Sequence, residues 1–386
     1  MMNSKEFLDK NKKIQDELLD FIRNDENDTL NFESLQTLFN DFNIRNDKHD
    51  LTTLLHLLAK ISNNHHRGPS FFDKIEKIII IFKEDIKNFF SNSEIFNIFR
   101  SNKKILLFLI EEKILIFDEY IAKKITTEKY VKKCYPQYFL PEIKPFISKS
   151  WFPKYDKKDE VVDDWDEYEY EYEYEYDDDD DDDEWIEEIN KEIPDNFYEK
   201  RKTGENDSYI CEMIRNDSVE NFVQYITKNC YSLNSEIVQS VYETNNFLLK
   251  NENKKTSLIE YAAFFGSIEI FQYLKLNNVE MKESLWFYAI HGNNPDIIHL
   301  LEENIAMPTN DEYDKYFFES IKCHHNDIAN YFQDNYVQIQ VNNFHDTFIQ
   351  SLKYYNFVFI SNESINKSSF FDICKYDYYL LCSLFL

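Results

Sequence analysis

The chain has 386 residues, 43% of them apolar and 17% aromatic, enough for two ordinary domains or one long repeat array with a separate N-terminal piece. Its formal charge is −29, yet residues 159–188 alone hold 20 acidic side chains and no Lys or Arg, which leaves about −9 for the rest. No basic face is evident for neutralising phosphates, the apolar runs fall far short of the ~20 residues that cross a bilayer, and the first residues lack an apolar signal segment, so nucleic-acid binding, membrane insertion and secretion are not expected.

In chain order, residues 1–45 place Phe7, Leu8, Leu18, Leu19 and Phe21 among many Asn and Asp, which predicts a loosely held helical N-terminus. Residues 46–135 have firmer helical periodicity. LTTLLHLLAKI is followed by the polar loop NNHHRGPS, then by FFDKIEKIIIIF, and residues 92–114 form a helical hairpin turning near Ser101. Over residues 136–158, Pro136, Pro141, Pro145 and Pro153 break any long helix, and with Trp151 they predict an irregular Pro/aromatic strap against the helices. Residues 159–190 are an acidic low-complexity insertion in which alternating Glu and Tyr lead into seven consecutive aspartates. Their mutual repulsion predicts disorder.

Residues 205–386 carry an internal repeat. In residues 257–274 (SLIEYAAFFGSIEIFQYL), two short stretches with helical spacing flank Gly266, and Ser257 with Glu260 forms a capping box. The pattern returns 27 residues later as SLWFYAIHGNNPDIIHLL with Asn293 at the turn, and more loosely as YFFESIKCHHNDIANYF with His324. A last copy, residues 369–386, turns at Asp377, and YICEMIRNDSVENFVQYI precedes the clear copies as one more hairpin. Gly, Asn, His and Asp then answer one backbone requirement, a residue that tolerates φ > 0. A period near 30 with two helices per unit predicts an all-α, helical-hairpin solenoid.

On these residues the chain resembles ankyrin repeats. AAFFGSIEIFQYL is similar to the core A-A-x-x-G-H-x-E-V-V-x-L-L, with Ser267 in place of the His, although the usual T-P-L-H start is absent. More closely it resembles the degenerate ankyrin-repeat proteins expanded in trichomonad protists, which carry an uncharacterised helical domain. The resemblance spans most of residues 50–386 and brings no catalytic motif. It implies an ankyrin-type solenoid acting as a non-catalytic protein–protein interaction scaffold for an unidentified protein partner. The last unit ends in LFL without a polar capping repeat, so the array is expected to be truncated there.

The residues themselves offer little chemistry. No P-loop, nucleophile elbow, H-E-x-x-H or dinucleotide fingerprint is present, and four glycines in all exclude a Gly-rich phosphate loop, so no enzyme activity and no cofactor are expected. Cys323-His324-His325 with His291 lacks the spacing of a structural zinc site, and His65-His66 is a loop pair expected to cap a helix or face solvent, so no metal is expected either. The repeat aromatics read mainly as core, and Phe264 and Phe265, just before a turn, are the candidate partner-binding residues among them. Six cysteines without a C-x-x-C pair read as free thiols filling small apolar positions, which fits the cytoplasm, with the nucleus as alternative. The rival function is that of an acidic protein sequestering or chaperoning basic partners through residues 159–188.

Overall fold

A computed structural model describes residues 3–24, 28–127, 134–146, 193–249, 255–305, 310–336 and 341–385. The acidic insertion and residues 147–158 of the strap lie outside them. The described residues are all-α and contain no strand, only an isolated antiparallel bridge between Glu236 and Ser257. Their buried apolar side chains form two cores.

The first core is built around α1 (Ser4–Arg23). Asn3 caps this helix reciprocally with Glu6: the Asn3 Oδ1 accepts from the Glu6 N–H at 2.9 Å, and the Asn3 N–H donates to Glu6 Oε2 at 3.0 Å. Its stripe of Phe7, Ile14, Leu18, Phe21 and Ile22 is buried against α2 (Asp28–Asp41) and neighbouring helices, which corrects the expectation of a loose N-terminus. Asp9, Asp16 and Asp20 solvate the outer face, while buried Asn11 satisfies its amide on Phe7 O at 2.9 Å. Around α1 stand α3 (Lys48–Asn64), α4 (Phe71–Ile81), α5 (Lys83–Phe89), α6 (Asn92–Phe99), α7 (Lys103–Glu111) and α8 (Glu119–Thr127). Two short helices, α9 (Cys134–Tyr138) and α10 (Leu140–Ile143), bury Tyr135, Tyr138, Phe139 and Ile143 in the same core, so this part of the strap is helical.

The second core is a row of helical hairpins. After α11 (Phe197–Thr203) come α12 (Tyr209–Arg215) and α13 (Val219–Lys228), then the short α14 (Asn246–Leu249). The strongest repeats follow: α15 (Leu258–Phe264) with α16 (Ile268–Leu276), α17 (Leu285–Gly292) with α18 (Pro295–Asn304), and α19 (Asn310–Lys322) with α20 (Asn326–Asn335). Next come α21 (Val341–Tyr354) and the pair α22 (Phe370–Lys375) and α23 (Tyr379–Cys382). First helices pack on first helices in the order α12, α15, α17, α19, α21, and second helices likewise in α13, α16, α18.

One backbone device recurs at six hairpin turns beyond residue 215. Asp217, Gly266, Asn293, His324, Tyr355 and Asp377 all have positive φ, between 46° and 68°. After five of them the next N–H reaches the carbonyl five residues back, as in Ser267 to Ala262 (2.9 Å), His325 to Ser320 (3.0 Å) and Tyr378 to Ile373 (3.2 Å). The residue after the turn then ties its hairpin to the previous one. Ser267 Oγ donates to Ile214 O at 2.6 Å, Asn294 Nδ2 to Gly266 O at 2.9 Å, and Asn356 Nδ2 to Ile321 O at 2.9 Å.

Sequence reasoning missed the turn at Tyr355, where an aromatic residue stands in the left-handed region. It also misplaced the boundary between the two bodies. The array assigned to residues 205–386 does not stay together: Phe348, Leu352, Tyr355, Phe357, Ile373, Tyr378 and Leu381 belong to the first core, alongside α1.

Between α15 and α17 small side chains leave the backbones almost touching. A Cβ on Gly292 would sit 2.0 Å from Ala263 O, whereas one on Gly68 would meet nothing within 4 Å. Gly292→Ala should therefore lower stability by about 1–3 kcal/mol through enforced separation of the helices, while Gly68→Ala changes little. Urea denaturation followed by circular dichroism reads both, and an unmoved midpoint for Gly292→Ala would refute the tight packing.

Candidate functional site

Phe264 is 4% exposed and stacks on the His291 ring at 5.3 Å, so it lies inside the array and is out of reach of a partner. Phe265 is half-buried beside Tyr261 and Phe264. The sequence-predicted binding pair is thus mainly packing, and the concentrations of polar chemistry are elsewhere.

The first is the seam between the two cores. The loop after α3 meets the turn between α19 and α20, which buries His65, His324 and His325 and half-buries His66, against the expectation that turn and loop histidines face solvent. These turns point at another folded body. His65 Nδ1 donates to Cys323 O at 2.8 Å, and the His66 N–H donates to His325 Nε2 at 3.3 Å. The His65 and His325 rings lie 4.6 Å apart. Burial holds all four imidazoles below their ordinary range, His66 at about 4 and His324 at about 3, and Arg23 adds repulsion at His65, His324 and His325.

At His324 the hydrogen bonds fix the tautomer. Nε2 is 2.9 Å from Tyr354 O, which only accepts, so Nε2 carries the proton. Nδ1 faces Gln15 Nε2 at 3.2 Å. Gln15 is itself oriented, since its Oε1 accepts from Phe357 N at 2.7 Å and its Nε2 donates to Asn356 Oδ1 at 2.8 Å. A second proton on His324 would set two donors against each other.

Further along the seam Arg67 is buried over the Phe72 ring, with Nη1 3.0 Å from Thr244 Oγ1, 3.3 Å from Glu205 Oε1 and 3.7 Å from Glu243 Oε1. Burial, then the neighbouring Glu205, raises Glu243 to about 7. The cavity beside Glu243 measures about 20 Å³, room for one water and no substrate.

The second concentration lies within the array. His291 Nε2 is 2.7 Å from Glu319 Oε1, and His291 Nδ1 is 3.5 Å from Cys323 Sγ. All three are buried, and one donor atom from each lies within 4.8 Å of the others, so these are the described residues that could share a metal ion. Lys322 Nζ stands 3.3 Å from Glu319 Oε1 and already supplies a buried cation there. His324 and His325 turn away from this group, so the Cys-His-His run does not converge.

The third is a groove of about 860 Å³ between α3, α6 and the hairpin of α22 and α23. Five cations line it (Lys48, Lys60, Arg100, Lys353, Lys375) against two carboxylates, Glu94 and Asp377. Phe371 and Tyr379 stand at its edge, 69% and 51% exposed. No linear motif marks it, because its walls come from segments some 250 residues apart in the chain.

Comparison with protein-family models, curated proteins and solved structures finds no match for this chain.

The seam gives the protein a definite pH response. His324 is neutral when folded down to about pH 3 but binds a proton below about 6.5 when unfolded, so it subtracts stability as pH falls from 6.5. Glu243 and Glu76 work oppositely, losing stability as pH rises from 4.5 through about 7, but five lowered histidines (His56, His65, His66, His324 and His325) outweigh two carboxyls. The urea midpoint should therefore drop from pH 7 to pH 5. His324→Gln, whose amide keeps both hydrogen bonds, should reduce the slope by about 1.4 kcal/mol per pH unit. An unaltered slope would place the proton on folded His324.

Proposed function

We propose that the chain is a non-catalytic protein–protein interaction scaffold, a stack of ankyrin-type hairpins carried on a helical N-terminal body, akin to the degenerate ankyrin-repeat proteins of trichomonads. The observation that carries this reading is the cationic groove, set in a chain of charge −29, with exposed aromatic side chains at its rim. Local charge of the opposite sign to the whole molecule favours a short acidic segment of a partner protein, with Phe371 and Tyr379 as apolar anchors. A polynucleotide would extend beyond the groove into the negative surroundings and be repelled. Cys323, His291 and Glu319 are buried, and the cavity beside Glu243 holds only about 20 Å³, which favours binding over turnover. The cytoplasm fits this role, and the nucleus is the alternative.

The rival reading, sequestration of basic partners by residues 159–188, draws on 20 acidic residues without a single compensating cation. Both make distinct predictions for a synthetic, fluorescent Glu/Tyr peptide and for a polylysine peptide titrated into three proteins: the intact chain, the chain lacking residues 159–188, and the double variant Lys60→Glu/Lys375→Glu. The acidic peptide should bind the first two, and the double variant should bind it at least about tenfold more weakly, a loss of about 1.4 kcal/mol. Binding of polylysine alone, lost with residues 159–188, would move the function to the acidic insertion.

A further inference from the structure

The six cysteines do not share one environment. Cys211 and Cys323 are buried, Cys134 and Cys382 are half-buried, and Cys230 and Cys374 are exposed, so the view of all six as apolar filler holds for only part of the set. Two of them are neighbours. Cys374 lies near the end of α22 and Cys382 ends α23, and their Sγ atoms are 3.2 Å apart. The juxtaposition comes from the turn that the hairpin requires. Asp377 at φ 61° reverses the chain, and the Tyr378 N–H closes onto Ile373 O at 3.2 Å. Buried Ile373, Tyr378 and Leu381 then hold the two helices side by side.

We propose that Cys374 and Cys382 form an oxidation site, a dithiol that closes to an intrachain disulfide on exposure to a hydroperoxide. The two sulfurs have different parts. Burial, then the neighbouring Cys374, pushes the Cys382 thiol up to about 12, which leaves exposed Cys374 as the sulfur that meets the oxidant. The Cys374 thiolate attacks one oxygen of hydrogen peroxide, the O–O bond breaks, and the sulfur becomes a sulfenic acid as hydroxide leaves and is protonated to water. Cys382 Sγ then attacks the Cys374 sulfur, gives up its proton, and the S–S bond forms as the sulfenic oxygen departs in a second water. Two thiols lose two electrons and two protons, and one peroxide becomes two waters. Movement is small because the sulfurs already touch. The bond staples α22 to α23, and α22 carries Phe371, Cys374 and Lys375 of the groove wall. The chemistry stands on the thiol geometry and does not depend on what the groove binds.

The test uses the intact chain, reduced, freed of reductant and titrated with hydrogen peroxide. Trypsin cuts after Lys375, between the two cysteines, so the disulfide leaves two peptides joined by a reducible bond, which mass spectrometry identifies directly. The expected result is that linked pair, two hydrogens lighter than the thiols, as the first oxidation product. Cys382→Ser should instead accumulate a Cys374 sulfenic acid that dimedone traps, and Cys374→Ser should leave Cys382 reduced at the same dose. Cys230→Ser, which removes the other exposed thiol, should change nothing. Should a serine variant fail to fold, the linked peptide from the unsubstituted chain remains decisive. Oxidation of Cys374 to sulfinic acid with Cys382 untouched, or a first product linking Cys230 between chains, would overturn the proposal.

Discussion

Six hairpin turns, from Asp217 to Asp377, reverse the chain within two or three residues, and each is made by a residue with φ > 0. The rest of the architecture depends on that constraint. Gly266 meets it without cost, while Asp217, Asn293, His324, Tyr355 and Asp377 meet it against a Cβ penalty of roughly 1–2 kcal/mol each. The chain offsets this by using the next residue twice. Its N–H closes the turn at all but Asn293, and the side chains of Ser267, Asn294 and Asn356 bond the preceding hairpin. A local backbone requirement is thereby converted into a contact between repeats. The same reversal sets Cys374 against Cys382.

The seam between the cores is the second constraint. His65, His324, His325, Arg67 and Glu243 are buried there, with His66 half-buried and Arg23 at the edge, and each buried polar atom without a partner costs free energy. Neutral imidazoles solve part of the problem, because each can accept at one nitrogen and donate at the other without carrying a charge. His324 uses both faces, to Gln15 and to Tyr354 O. The solution is incomplete: His325 Nδ1, His66 Nδ1 and two nitrogens of Arg67 remain without hydrogen bonds. Such a seam is specific about alignment but contributes less stability than an apolar one of equal area.

How much of this was legible in the sequence depended on whether the signal was local. The hairpins around Gly266 and Asn293 were legible because apolar spacing, the Ser257–Glu260 box and tolerant turn residues all lie within eighteen positions. The hairpin at Tyr355 was not, since an aromatic residue at a left-handed position carries no turn signal and Asn356 does its work only through the neighbouring repeat. The histidine pairs were misjudged for a related reason. Polar residues at turns normally face water, and only the approach of a second body, invisible to any window of sequence, buries them. The groove and the dithiol are further cases, one built from distant segments and the other from two cysteines whose eight-residue separation means nothing until the turn is formed.

Closure of the chain on itself separates this molecule from an open row of hairpins. In an open row each unit touches only its neighbours, so stability is roughly a sum of local terms and the ends fray. Here α1 joins the far end to the near one. Phe7 packs on Phe357 and Tyr378 with ring centres 6.1 and 6.3 Å away, and Gln15 bonds Phe357 N across more than 340 residues of sequence. The hairpins after Val341 therefore cannot loosen without exposing the core of the N-terminal body, and α1 cannot detach without stripping Gln15 from His324 and Asn356. Loss of one element removes support from both cores. The groove sits on this closure, with walls from α3 and α6 on one side and from α22 and α23 on the other. Its shape is accordingly a property of the closed chain, and no fragment carrying the hairpins alone would contain it.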